Sequence, residues 1–243
     1  MSNLIILDTE TTGLPKEQDR ICQIGFLSNE DSQWKIYEDL CRPSNPISSD
    51  AMAVHHITNE MVEEKPALQD TNSFKKLSKL NLPENIIVLQ NAPFDLGVLQ
   101  NEGFLWKGRV IDTLVCAKHL LATRRHALQF LRYELGLYKH EKEISSALGI
   151  DIKPHDAIGD VIVAKLLFNH LLELADNSIE NLITITNTPV LLKIIPFGKY
   201  KGKEFEEAVK RDINYFQWVL NDFKNLSPDA RATIEFYMAE SSS

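Results

Sequence analysis

The chain has only three cysteines in 243 residues and no C-x-x-C pair, which excludes a disulfide framework and a cysteine-held zinc site. Cys22, Cys41 and Cys116 are widely spaced and odd in number, and they read as small buried apolar groups in a reducing, cytoplasmic protein. No apolar run approaches the roughly 20 residues of a membrane span, so no membrane partner is expected. No basic stretch followed by an apolar one opens the chain, so no signal peptide is expected. Internal repeats and low-complexity tracts are also missing. Positive charge is in deficit: 26 Lys and Arg stand against 34 Asp and Glu, a net charge of −8. Residues 189–243 are neutral, with eight residues of each sign, so the whole deficit falls in residues 1–188. That balance argues against broad non-specific binding to polyanions, while leaving room for an acidic cluster that holds divalent metals.

What is present reads as an ordinary globular chain, 44% hydrophobic and 25% charged. Three strand-like runs, Leu4–Leu7, Arg20–Leu27 and Gln33–Leu40, are separated by short polar turns and predict a meander. A short helix capped by Ser48 or Ser49 reaches about His55, and Thr58 can cap another. Ile86–Leu89 predicts a fourth strand, followed by a helix from about Pro93 to Glu102. Val110-Ile111 predicts a fifth strand, after which Asp112 can cap a helix over Leu114–Leu121. Further helices fit Ala127–Leu135 and Ile158–Leu174. Three consecutive strands, then strand and helix alternating, predict an α/β fold with a mixed sheet flanked by helices. The division expected is a main domain over residues 1–175, a polar linker over 176–188 and a small module over 189–243.

The first strand runs into Asp8-Thr9-Glu10-Thr11-Thr12-Gly13-Leu14. Carboxylates at i and i+2 of a strand project to one face, where they repel and need a cation between them. Hard oxygen ligands of this kind suit Mg²⁺ or Mn²⁺. Asp95 stands in Gln90-Asn91-Ala92-Pro93-Phe94-Asp95, where the fourth strand gives way to a helix. Strand exits are where open α/β sheets place ligands, although a first-turn Asp also complements a helix dipole. In His155-Asp156-Ala157-Ile158-Gly159-Asp160, the spacing of five keeps His155 and Asp160 off one helical face. His155 fits a loop and Asp160 the first turns of the next helix, so a helix-borne carboxylate is paired with a loop-borne base.

In this order, Asp8-x-Glu10, Asn91-x-x-x-Asp95 and His155-x-x-x-x-Asp160 resemble the three motifs of the DEDDh family of 3′→5′ exonucleases, the family of bacterial proofreading subunits. The resemblance covers about residues 3–173 and is most specific at Asp8–Leu14. It continues at Met52–Thr58, similar to a family segment near the bound 3′-terminal nucleotide. Phe197-Gly198-Lys199-Tyr200-Lys201-Gly202-Lys203 resembles the tail of the family's exonuclease X branch. Gln90 stands where many members have His, and His56 where Gly is common. The resemblance implies a ribonuclease H-like fold: a mixed five-stranded sheet flanked by helices, here with a small C-terminal module. It also implies metal-dependent hydrolysis of DNA from a free 3′-OH end, releasing nucleoside 5′-monophosphates, in DNA repair. Two Mg²⁺ (or Mn²⁺) ions would be held by Asp8, Glu10, Asp95 and Asp160, with Asp8 bridging both and His155 the general base. Thr9, Thr11, Gly13, Leu14, His55, Thr58, Asn91 and Phe94 are the expected substrate contacts.

Several of these positions have a second reading. Thr58 and Asp112 read equally as helix caps, and Phe94 as a core residue. The Gly198–Lys203 loop reads as a tight turn with solvated lysines or as an accessory element in DNA handling. The basic loop Arg124-Arg125-His126 either flanks the substrate path or is a solvated turn. The expected partner is single- or double-stranded DNA with a 3′ end, and RNA stays open because nothing around His55 resolves a 2′-OH. A non-catalytic binding module would not need all five catalytic positions filled, as they are here. The segment after residue 189 reads as a folded unit, so a free-standing nuclease without a polymerase partner is expected, with a homodimer allowed.

Overall fold

A computed structural model describes residues 2–13, 18–31, 33–149, 157–224 and 226–241. Leu14 and His155 lie outside the described residues. Strands β1 (Leu4–Thr11), β2 (Ile21–Glu30) and β3 (Gln33–Leu40) form an antiparallel meander. Three helices follow: α1 (Ser49–His55), α2 (Asn59–Val62) and α3 (Asn72–Leu80). Strand β4 (Ile86–Leu89), helix α4 (Ala92–Asn101) and strand β5 (Arg109–Asp112) come next, with β4 parallel to both β1 and β5. Helices α5 (Thr113–Leu120), α6 (Leu128–Glu134), α7 (Glu141–Leu148), α8 (Ala157–Leu174) and α9 (Ile179–Thr186) complete the first of two compact units, Met1–Thr186. The sheet is five-stranded and mixed, in the order β3-β2-β1-β4-β5, as the ribonuclease H-like reading requires.

Alternation along β1 sorts the two helical layers. Ile5 and Leu7 pack with Phe74 and Leu77 of α3 and Leu99 of α4. Ile6 packs on the other face with Ile158, Val161 and Leu167 of α8. Both faces are covered, so the central strands read as near-continuous apolar runs: every residue of β4 is buried. Helix α8 is apolar nearly all round, ten of its 18 residues being buried, because it lies across β1 and β2 with other helices on its back. Cys22, Cys41 and Cys116 are buried and unbridged, and burial pushes the Cys22 thiol up to about 12. Among the described residues, no helix is long and apolar enough to cross a membrane.

One boundary and one element change. Strand β1 runs four residues past Leu7 and so carries Asp8 and Glu10 on one face, as their i, i+2 spacing predicts. Residues 176–188 are not a linker. They hold α9, whose Leu182 is fully buried against the α5 and α8 layer, with Ile183 and Ile185 beside it. Burying a leucine stabilises by about 1.5–3 kcal/mol, enough to dock a helix flanked by polar residues. The boundary between units falls after Thr186.

The second unit, Asn187–Ser243, has its own core. A bridge between Ile194 and Glu204 leads into α10 (Phe205–Arg211), α11 (Ile213–Asp222) and α12 (Pro228–Ser241). Phe205, Val209, Phe216, Val219 and Ile234 fill the centre, and Phe197 stacks on Phe223 at 5.2 Å.

Candidate active site

Asp8 and Glu10 project from β1 toward α8, and Asp160 sits in the first turn of that helix. One carboxylate oxygen from each of Asp8, Glu10 and Asp160 can be chosen so that all three lie within 4.8 Å of one another. Such an approach depends on glycine. Gly25 pairs with Asp8 across β1 and β2, and a Cβ there would meet the Ala157 Cβ and the Ile158 nitrogen at 3.1 Å. With no side chain at Gly25, the start of α8 lies directly on the sheet. Gln23, the cross-strand partner of Glu10, accepts from the Ala157 N–H at 3.3 Å and fixes the same helix end.

Asp95 approaches from the other side. It is buried in the first turn of α4, and the Thr9 hydroxyl donates to its Oδ1 at 2.7 Å. Asp95 is not among the three carboxylates whose oxygens lie within 4.8 Å of one another, yet its charge acts on Asp8 more strongly than those of Glu10 and Asp160. The turn carrying it is clamped by Asp112, which accepts from the Asn91 and Ala92 N–H groups (3.1 and 2.9 Å) and from Leu114 N–H at 2.9 Å. Asp112 therefore caps α5, as its sequence context suggests, and also holds the β4–α4 turn. Asn91 adopts the left-handed conformation (φ 70°) at this turn, with its side chain exposed.

The electrostatics record the crowding. Burial, then the charges of Asp95, Glu10 and Asp160, push the Asp8 carboxyl well above the ordinary carboxylate range. Burial raises Asp95 to about 7, against the hydrogen bond from Thr9. Asp8, Glu10 and Asp160 could hold a divalent cation, since hard cations relieve repulsion among crowded carboxylate oxygens.

A cleft of about 790 Å³ opens beside the cluster, lined by Glu10, Thr11, Gly13, Asp50, Val54, His55 and Phe94 among others. Of the expected substrate contacts, Thr11, Gly13, His55 and Phe94 line it, whereas Thr58 and Asn91 do not. Thr58 stands at the N-cap of α2 and gives a hydrogen bond to Glu60. Thr9 is turned to Asp95. The His55 ring is spoken for: Nδ1 accepts from Ile57 N–H at 3.0 Å, so Nε2 carries the proton toward the Thr11 carbonyl at 3.1 Å. Burial holds its pKa below the ordinary histidine value, keeping the ring neutral.

A further set was not read from the sequence. Gln129 donates to Asp160 Oδ1 at 2.6 Å, and Arg132 donates to Gln129 at 3.3 Å. Arg132 in turn forms a two-pronged ion pair with Glu141 at 2.5 and 2.6 Å. These residues sit on α6 and α7 at spacings that carry no motif, and only the packing of α6 on α8 brings them to Asp160.

Comparison with known proteins identifies this arrangement. The Exonuclease family model matches residues 5–168, so the chain belongs to the exonuclease family, the class that its motifs resemble. A second model, Exodeoxyribonuclease X-like C-terminal, matches residues 195–224. The chain is 30% identical over 240 residues to exodeoxyribonuclease 10 of Escherichia coli (strain K12), covering 97% of this chain and 98% of that protein. It is 31% identical over 163 residues to the DNA polymerase III subunit epsilon of Rickettsia prowazekii (strain Madrid E), covering 61% and 69% of the two chains. A solved structure of exonuclease X in complex with 5′ overhanging duplex DNA superposes with a TM-score of 0.56 at 26% identity, covering 76% of this chain and 99% of that one.

Replacing Gly25 tests the close approach. Gly25→Ala should destabilise the protein by about 1–3 kcal/mol, the usual cost of overpacking. It should also slow catalysis on the order of tenfold, since about 1 Å of misplacement costs ~100-fold. Denaturant unfolding and initial rates check both.

Proposed function

We propose that the protein is a 3′→5′ exodeoxyribonuclease that hydrolyses DNA from a free 3′-OH end, releases nucleoside 5′-monophosphates and serves DNA repair in the cytoplasm. The observation that carries this reading is the cluster of Asp8, Glu10 and Asp160, whose oxygens lie within 4.8 Å of one another and whose Glu10 also lines the cleft of about 790 Å³. Asp8, Glu10, Asp95 and Asp160 would hold two divalent cations, Mg²⁺ or Mn²⁺, which when bound would neutralise phosphate charge and make water a stronger acid. His155 takes a proton from the attacking water as its oxygen bonds to phosphorus and the bond to the 3′-oxygen breaks, and the leaving 3′-oxygen takes up a proton from solvent water to become the new 3′-OH. An unperturbed imidazole pKa of about 6.5 suits a base at neutral pH. Thr11, Gly13, Leu14 and Phe94 receive the terminal nucleotide. Thr9 orients Asp95, and His55 holds the Thr11 carbonyl that forms one wall of the cleft.

The likeness to exodeoxyribonuclease 10 over nearly the whole chain favours DNA over RNA, and the second unit's own core favours a nuclease that works without a polymerase. The test is product analysis. Matched DNA and RNA oligonucleotides, ending in 3′-OH or 3′-phosphate, are incubated with Mg²⁺ and resolved by chromatography. Deoxynucleoside 5′-monophosphates from the 3′-OH DNA are expected. Release of 3′-monophosphates, or faster digestion of RNA, would overturn this assignment.

A further inference from the structure

The second unit presents an aromatic and basic surface that the exonuclease site does not use. On α11, Tyr215 and Trp218 are three residues apart, share a face and approach to 5.9 Å between ring centroids. Trp218 leaves half of its surface open to solvent. The Gly198–Lys203 loop is braced against this face. A Cβ on Gly198 would stand 2.3 Å from the Tyr215 oxygen, and its backbone has φ 61°, so only glycine lets the loop lie there. The Lys199 N–H donates to the Tyr215 oxygen at 3.1 Å, and Asp212 accepts from both Lys199 Nζ and the Tyr200 hydroxyl at 2.8 Å.

The charges divide unevenly in this unit. Lys193, Lys199, Lys210 and Arg231 are paired with Glu204, Asp212, Glu206 and Glu235. Lys201 and Lys203, on the same braced loop, are exposed and form no ion pair. We propose that this surface is an accessory binding site for single-stranded DNA, with a base stacked on Trp218 and the backbone phosphates on Lys201 and Lys203. Every base offers a π-face and every nucleotide a phosphate, so an exposed ring and unpaired cations on elements that both meet Tyr215 can bind a strand without regard to sequence. A protein partner fits less well, because docking faces are contiguous apolar patches of several hundred Å². Besides Tyr215, the residues one turn from Trp218 on the helix are the polar Asn214, Asn221 and Asp222. The proposal rests on the reading of the protein as an enzyme acting on DNA strands.

The test measures binding of a labelled 20-nucleotide oligo-dT to the full chain in EDTA, by fluorescence anisotropy across a salt series. Trp218→Ala should weaken binding on the order of 10- to 100-fold, with Trp218→Phe keeping most of the affinity. A Lys201→Gln, Lys203→Gln double variant, which leaves the packed core alone, should flatten the slope of log K against log salt by about 1.4. Affinity and slope within error of the parent for both would overturn the proposal, and would also be the result if this face docks a protein. Cleavage of a tetranucleotide by the parent in Mg²⁺ separates the two readings. If the parent does not cleave it, the exonuclease assignment fails while the binding data still decide the accessory site.

Discussion

Asp8→Asn is expected to reduce DNA cleavage to the detection floor while making the metal-free protein more stable. Burial and the charges of Asp95, Glu10 and Asp160 all oppose ionisation of Asp8. A carboxyl whose native pKa lies above its unfolded value stabilises the fold only while protonated, so that stability is lost as pH rises through the native value. In EDTA, the melting temperature of Asp8→Asn should therefore exceed the parent's by an amount that grows as pH rises above the ordinary carboxylate value of 3.8. A gain of 2–4 °C would correspond to about 1 kcal/mol in a chain of this length. Adding Mg²⁺ at pH 7 should raise the parent's melting temperature, since a ligand of the native state stabilises it, and should leave the variant nearly unmoved. Calorimetry with and without metal checks all three statements. A variant less stable than the parent in EDTA would show that the carboxylates do not repel as described.

His155→Ala should lower kcat on the order of 10²- to 10⁴-fold, the usual contribution of a general base, with DNA affinity in EDTA unchanged. The parent's rate in Mg²⁺ should climb with pH near the ordinary imidazole value of about 6.5, and that limb should vanish in the variant. Both effects follow from the placing of His155, by family resemblance, in the loop ahead of the helix that carries Asp160. Equal rates for parent and variant across neutral pH would remove His155 from the mechanism.

The carboxylates were legible in the sequence because metal chemistry restricts residue type and strand geometry restricts spacing. Asp8-x-Glu10 needs one strand, and Asp160 needs one helix start. The supporting groups were not legible. Gln129, Arg132 and Glu141 reach Asp160 only through the packing of α6 and α7, and no periodicity predicts it. Gly25 is an ordinary strand glycine in the sequence, and its function emerges only when α8 is seen 3.1 Å from its missing side chain. Polar composition concealed α9. Asp176, Asn177, Ser178 and Asn181 read as a linker, yet Leu182 buries enough apolar surface to override them. Thr58 read equally as a helix cap and a substrate contact, and it stands at the N-cap of α2.

The most direct test of the account is digestion of a 5′-labelled single-stranded DNA oligonucleotide by the parent and by Asp160→Ala, each in Mg²⁺ and in EDTA. The predicted result is a ladder that shortens from the 3′ end only for the parent in Mg²⁺. Shortening that persists in EDTA or in Asp160→Ala, or an intact strand under every condition, would contradict a metal-dependent 3′→5′ exonuclease built on Asp8, Glu10 and Asp160.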